Sequence, residues 1–244
     1  MCTLEKRGSV LILTITGSGE HRLNPTLIDA IRSALSRVRE EPSSPCSALI
    51  TTAQGKFFSN GFDLEWAGSS LSKRQLMSDK LFSLVTDLIS LPMPTIAAVS
   101  GHASAAGLIL ALSHDYVLMR KDRGFLYMSE MDIRLVIPDW FVTVLRMKIG
   151  SPKVMREVIM RAAKITATEG VEMRIVDSAH GSAEETVEAA VRLGEELVGR
   201  KWDGHVYAQN RLAVSRELRE ASDRITSGPD ETVGGSEGNI GSKL

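Results

Sequence analysis

An α/β fold with parallel strands is what the order of apolar segments predicts. Three observations carry this expectation. Short β-branched runs at 9–16 (SVLILTIT), 48–52 (ALITT) and 95–100 (TIAAVS) have the length and composition of buried strands. Amphipathic stretches of helical period separate them. Helical patterns then dominate the second half, as expected of a sheet covered by helices. A doubly wound sheet and a coiled ββα spiral share this pattern, and the pattern alone does not choose between them.

Taken in order, the first strand is broken by Gly17 and Gly19. Asn24-Pro25 opens a helix, because asparagine caps and proline is tolerated in the first turn. Its inward stripe is Leu27, Ile28, Ile31, Ala34, Leu35 and Val38. Residues 41–45 read as a loop. The 48–52 strand runs into KFFSNGFDL at 56–64, where Gly61 lets the backbone turn sharply and approach a ligand. Such a turn can aim N–H groups at a developing negative charge. It equally suits a plain strand-to-helix connection. After a loop at 68–72, a helix reaches about Ser90 with Leu76, Leu81, Leu84, Val85 and Leu88 inward. Pro92 and Pro94 stop it. The 95–100 strand feeds Gly101-His-Ala-Ser-Ala-Ala-Gly107 and an apolar helix at 108–112. Short strands follow at 116–119 and 125–128, then helices at 138–149 and 153–161, a strand or turn at 175–177, and helices at 183–198 and 204–224. No repeat at a fixed period is visible.

The 244 residues are 43% hydrophobic and 24% charged, which suits a soluble protein with a sizeable core. Residues 1–198 are expected to form that core, 199–226 a helical region and 227–244 a flexible tail. A net charge of -1 provides no global basic field for nucleic acid or an acidic membrane. Cys2 and Cys46 are the two cysteines, and with Cys2 near a terminus no bridge is expected, which fits a reducing compartment. No apolar run approaches the ~18 residues of a spanning helix, and the first residues lack a signal-peptide core. Ser242-Lys243-Leu244 matches a receptor-read peroxisomal address. A Gly/Ser-rich tail would present it to an import receptor, placing the protein in the peroxisome matrix.

Two segments together carry a family likeness. KFFSNGFDL resembles the first oxyanion-hole segment of the crotonase (enoyl-CoA hydratase/isomerase) superfamily, and PTIAAVSGHASAAGLILALSHDYVL resembles its second, in the same order. The likeness runs from about Ser9 to Val198. With the S-K-L ending and the MSEMDIRLVIPDW segment, it is strongest to plant peroxisomal isomerases of that superfamily. This resemblance implies the ββα spiral, a C-terminal helical trimerisation region, a homotrimer or dimer of trimers, and an acyl-CoA thioester as substrate. It implies no metal or redox cofactor, CoA arriving with the substrate.

The implied reaction moves the double bond of a cis- or trans-3-enoyl-CoA to the 2-trans position during β-oxidation. By position in the motifs, the backbone N–H groups of Asn60 and Ala106 would hold the enolate oxygen. Loss of one such donor typically costs ~10²–10³ in rate. Hydratases of the superfamily hold a water with two glutamates. The place of the first is Ile109, which cannot bind water; the second matches Glu130. Glu130 is therefore expected to carry the proton from C2 to C4, with Met128, Met131 and Ile133 making its surroundings apolar and raising its pKa. Asp139, beside Pro138, is the alternative base and equally a first-turn helix acid. Ser59, Asn60, Gly61, Phe62, Asp63, Leu64, Ala106, Gly107 and Trp140 would line the substrate site, and Lys56 and Arg22 would meet CoA phosphates. Trp66 and Leu135 suit either the acyl pocket or plain core. The five histidines lack metal-ligand spacing, and His102 suits packing better than catalysis. A hydratase or dehydratase, or a non-catalytic acyl-CoA-binding protein, are the alternatives.

Overall fold

The computed structural model describes residues 1–17, 19–40, 47–218 and 220. The expected loop at 41–45, Cys46, and the chain from 221 onward, with its Ser242-Lys243-Leu244 ending, lie outside the described residues.

Six strands make the larger sheet, in the order β1 (Cys2–Arg7), β2 (Val10–Ile15), β3 (Ala48–Ala53), β5 (Thr95–Val99), β7 (Tyr116–Arg120) and β9 (Ser178–His180). Among the described residues of this sheet, the β1–β2 hairpin is antiparallel and the other pairs are parallel. Alternate residues of β2 explain why both faces must be covered. Leu11, Leu13 and Ile15 join the main core, whereas Val10 and Ile12 pack with Ala190, Val191 and Leu197 of helix α8 (Ala183–Gly199). Strands buried on both sides read as continuous apolar runs, which is why β3 and β5 were visible in the sequence. Strand β1 was not: its residues are mostly exposed, with charged Glu5, Lys6 and Arg7 on an edge.

A second sheet has three short parallel strands in the order β4 (Phe57–Ser59), β6 (His102–Ser104) and β8 (Leu126–Tyr127). Strands from the two sheets alternate along the chain. Each of β3, β5 and β7 is followed by a short strand and then by helix: β3, β4, then α2 (Leu64–Ala67) and α3 (Leu71–Ile89); β5, β6, then α4 (Ala106–Leu112); β7, β8, then α5 (Asp139–Lys148). The architecture is thus the coiled ββα spiral. Its repeat escaped a fixed-period reading because the three turns begin unevenly, at Ala48, Thr95 and Tyr116.

Helix α1 (Pro25–Glu40) starts as expected, with the Leu27 N–H donating to Asn24 Oδ1 at 3.0 Å. Several local expectations needed correction. Leu76 of α3 is exposed and Met77 takes the inward place. The helix expected at 153–161 is a short α segment, α6 (Pro152–Met155), followed by a π-helical stretch, Arg156–Met160. The strand near 175–177 lies slightly later, at β9. Helix α7 (Ala167–Glu172) was missed although Thr166 and Glu169 form a capping box. The last helix, α9 (Gly204–Val214), ends at a turn at Ser215 instead of running on uninterrupted. It is tied to the body by Arg211, whose Nε lies 3.0 Å from Asp115 Oδ1. Asp115 also accepts from the Thr95 N–H at 2.9 Å, so it holds the turn before β7.

Two glycines set how closely the short strands pack. A Cβ on Gly101 would stand 2.1 Å from Lys56 O, and one on Gly107 would stand 2.3 Å from Ser59 O. Both obstacles are backbone, so neither can swing aside. Gly107→Ala should therefore force β4 away from α4 and lower stability by about 1–3 kcal/mol, read by urea unfolding.

His114 gives a pH prediction. It is buried, with Nδ1 facing Leu110 O at 3.0 Å and Nε2 facing Thr51 Oγ1 at 2.8 Å. A carbonyl only accepts, so Nδ1 carries the proton and Nε2 accepts from the hydroxyl. Desolvation drives its pKa down from 6.5 to about 4. The unfolded chain therefore binds a proton between these values that the folded chain refuses. Stability contributed by neutral His114 is present above pH 6.5 and is lost as pH falls toward 4, by about 3 kcal/mol in all. Urea unfolding across that range should show a flatter acid limb in His114→Gln than in the unmodified protein.

Candidate active site

All three short strands run the same way, so their C-terminal ends open at one edge of the small sheet. Ligands of open parallel sheets bind beyond such ends. Strand β4 delivers Asn60-Gly61-Phe62, β6 delivers Ala105-Ala106, and β8 delivers Met128-Ser129-Glu130. Neighbouring turns are bonded together: the Ala105 N–H donates to Tyr127 O at 2.9 Å. A Cβ on Gly61 would meet Ser104 O at 3.0 Å, the Ala105 Cβ at 3.1 Å and the Ala106 nitrogen at 3.5 Å. Gly61 itself has φ +75°, a left-handed conformation that glycine adopts without a Cβ penalty.

The expected first donor is corrected here. The Asn60 N–H is spent on Glu20 O at 2.9 Å, and the Asn60 side-chain amide donates to Glu20 Oε2 at 2.9 Å. Two residues on, the situation differs. The Leu23 N–H donates to Gly61 O at 2.7 Å and the Asp63 N–H to Leu23 O at 3.2 Å. A peptide unit is planar and trans, so its N–H points opposite to its C=O. With Gly61 O turned toward Leu23, the Phe62 N–H points away from that segment. Among the described residues it pairs with no acceptor.

In the second turn the Ala106 N–H is not taken up within the described residues. Ala106 is the first residue of α4, where N–H groups have no partner within the helix. No acceptor pairs with it among the described residues. The left-handed position lies one residue earlier, at Ala105, with φ 50° and ψ -121°. Ala106 is therefore free of the positive-φ requirement that would have disfavoured alanine.

Glu130 stands three residues past β8 and is 6% exposed. Its Oε2 has no hydrogen-bond partner among the described residues. Burial raises its pKa above the usual 4.5, against a smaller lowering by its own backbone N–H. The source of that burial differs from expectation: Met128 is buried, but Met131 and Ile133 are 53% and 46% exposed. Ile109 lies fully within the core, on α4. Asp139 is exposed at the start of α5 and resembles a first-turn helix acid.

The remaining expected residues divide into two groups. Phe62 is half-buried with its ring 5.9 Å from that of Phe141. Trp140 stacks edge-on against Phe141 and Phe82 and donates to Ser78 Oγ at 3.0 Å, forming the wall behind Phe62. Leu64 and Leu135 are half-buried, and Gly107 and Ser59 are buried at the junction of the two turns. Asp63 instead caps α2, accepting from the Trp66 N–H at 3.1 Å, and Trp66 faces outward under Lys73. Arg22 is paired with Glu20 at 2.6 Å, while Lys56 is exposed over the Phe57 ring. His102 lies between the Phe57 and Phe125 rings, and burial, with nearby Lys56, Lys164 and Arg123, pushes its pKa down. No group of three or more His, Cys, Asp or Glu side chains suited to a metal occurs among the described residues, and no described helix is long and apolar enough to cross a membrane.

Residues 5–226 match the family model described as enoyl-CoA hydratase/isomerase. The chain is 64% identical over 218 residues to peroxisomal enoyl-CoA delta isomerase 1 of Arabidopsis thaliana, covering 89% of this chain and 91% of that one. It is 53% identical to the peroxisomal enoyl-CoA delta isomerase 2 of the same plant, covering 89% and 93%. Among solved structures, a probable enoyl-CoA hydratase from Mycobacterium tuberculosis superposes with a TM-score of 0.82 at 20% identity, covering 93% of this chain and 94% of that one. The chain belongs to the enoyl-CoA hydratase/isomerase family and has its crotonase fold.

Proposed function

We propose that this protein is a peroxisomal Δ3,Δ2-enoyl-CoA isomerase that converts cis- or trans-3-enoyl-CoA into 2-trans-enoyl-CoA for β-oxidation. The single observation that carries the reading is Glu130: a buried carboxyl group at the same edge of the small sheet as two backbone donors, its Oε2 and both donors unpaired among the described residues. The identity to enoyl-CoA delta isomerases supports the reaction, and their peroxisomal names agree with the Ser242-Lys243-Leu244 ending.

In this reading Glu130 takes the C2 proton, and the electron pair of the broken C–H bond moves onto the thioester oxygen. The N–H groups of Phe62 and Ala106 hold that oxygen. The pair then returns through the conjugated system, the double bond shifts, and Glu130 delivers the proton to C4. Oxidation state is unchanged overall, so the step calls for no redox partner. Ile109 disfavours water addition, since an aliphatic side chain in the core neither binds nor activates water. Lys56 remains the cation for CoA phosphates, whereas Arg22 already has Glu20 as its partner. Association as a trimer or a dimer of trimers would use the C-terminal helices, where Trp202, Val206 and Val214 are exposed.

Glu130→Gln should lower turnover of 3-hexenoyl-CoA by about 10²–10⁴, while Asp139→Asn stays within about threefold of the unmodified enzyme. Product formation at the 2-enoyl absorbance measures both, and near-native turnover in Glu130→Gln would sink the assignment. The base must be ionised to act. The kcat/KM of the unmodified enzyme should therefore rise with pH through a value above the ordinary glutamate 4.5, as burial of Glu130 requires.

A further inference from the structure

We infer that Ser59 is a positioning residue for the oxyanion donor Phe62, acting together with the Glu20–Asn60 side-chain pair. This rests on the isomerase reading above. Ser59 is 0% exposed, and its hydroxyl both donates and accepts. It donates to His21 O at 2.8 Å and accepts from the Gly61 N–H at 3.3 Å. A buried hydroxyl gains little for the fold relative to an alanine methyl, because desolvation offsets most of its hydrogen bonding. Its two bonds, however, join the turn to the segment that templates it.

That segment is itself held. His21 has φ 50°, and its Nε2 faces Gln54 O at 2.8 Å, just past the end of β3. Glu20 accepts from the Asn60 main chain and side chain and pairs with Arg22. Four consecutive N–H groups are sorted as a result. Asn60 is bonded to Glu20 O, Gly61 to Ser59 Oγ and Asp63 to Leu23 O, and only Phe62 is left unpaired. The Ser59 contact fixes the Asn60–Gly61 peptide plane, and the Leu23 contact fixes the next one. Without the hydroxyl, the Asn60–Gly61 peptide loses its anchor beside a conformationally permissive glycine, the next peptide is held by the Leu23 contacts alone, and the aim of the Phe62 N–H is less fixed. Oxyanion donors work by being oriented before charge develops, so lost orientation appears in kcat.

The test uses the full-length protein with 2,4-hexadienoyl-CoA, a conjugated thioester whose absorption moves to longer wavelength when its carbonyl is polarised, alongside kcat and KM on 3-hexenoyl-CoA. Ser59→Ala is expected to bind the dienoyl thioester, to lose most of the red shift, and to lower kcat about 10–100-fold with KM within about threefold. Glu20→Ala should do the same more weakly and Glu20→Gln, which keeps an acceptor for Asn60, should recover the shift. This pair decides the matter should Ser59→Ala fail to fold. Glu130→Gln should lose turnover but keep the full shift. A full red shift in folded Ser59→Ala, or in Glu20→Ala, overturns the inference even where stability and kcat have fallen. No red shift and no isomerisation by the unmodified protein overturn the isomerase reading, and the inference falls with it.

Discussion

The hydrogen bond from the Leu23 N–H to Gly61 O is the constraint on which the site depends. It decides which backbone amide in the first turn is available, since turning one carbonyl toward residue 23 turns the following N–H away from it. Gly61 is the residue that makes the bond possible, with a φ of +75° and backbone atoms of the second turn where a Cβ would project. The same missing side chain brings Ala105 and Ala106 close. Conformation in one turn and approach of the other are thus one requirement met at one position.

A wider geometry follows from the spiral. Each of its three turns contributes a short parallel strand, and parallel strands end together. Two such ends present main-chain donors and the third presents Glu130. No side chain has to reach across the molecule. The large sheet and its two covering layers supply rigidity, with α8 on one face and the main core on the other. Site residues on such strand ends inherit the precision of the ladder behind them, which loops alone do not offer.

What was legible in the sequence follows the same physics. Strands buried on both faces, the capped α1 and the long α3 are spelled out by composition and period, and they were read correctly to within a residue or two. The exposed edge strand β1 carries charges and no such pattern. Strands of two or three residues, such as β4, β6 and β8, are too short to show alternation, yet they carry the site. Glu130 is buried, and the Ala106 N–H has no acceptor among the described residues. Asn60 did not keep its role, because main-chain hydrogen bonding to Glu20 joins residues 40 apart and leaves no mark on residue type. The available signal was the glycine: the residue after a left-handed turn, rather than the one before it, is the one carried off the ladder.

Ile109 and Glu130 belong to one chemical choice. A second carboxylate at position 109 would invite water, and water would solvate Glu130 and compete for the two amides. With an aliphatic side chain there, no second carboxylate is present to hold a water, and burial keeps the pKa of Glu130 raised. A carboxylate that holds its proton more tightly is also a stronger base when ionised, which suits removal of a weakly acidic C–H hydrogen. Fewer competing dipoles likewise make each fixed N–H more effective toward a charged oxygen. Removing one acid therefore does more than delete a hydration step. In the proposed reaction it would strengthen the base and the oxyanion donors that a simple proton shuttle requires.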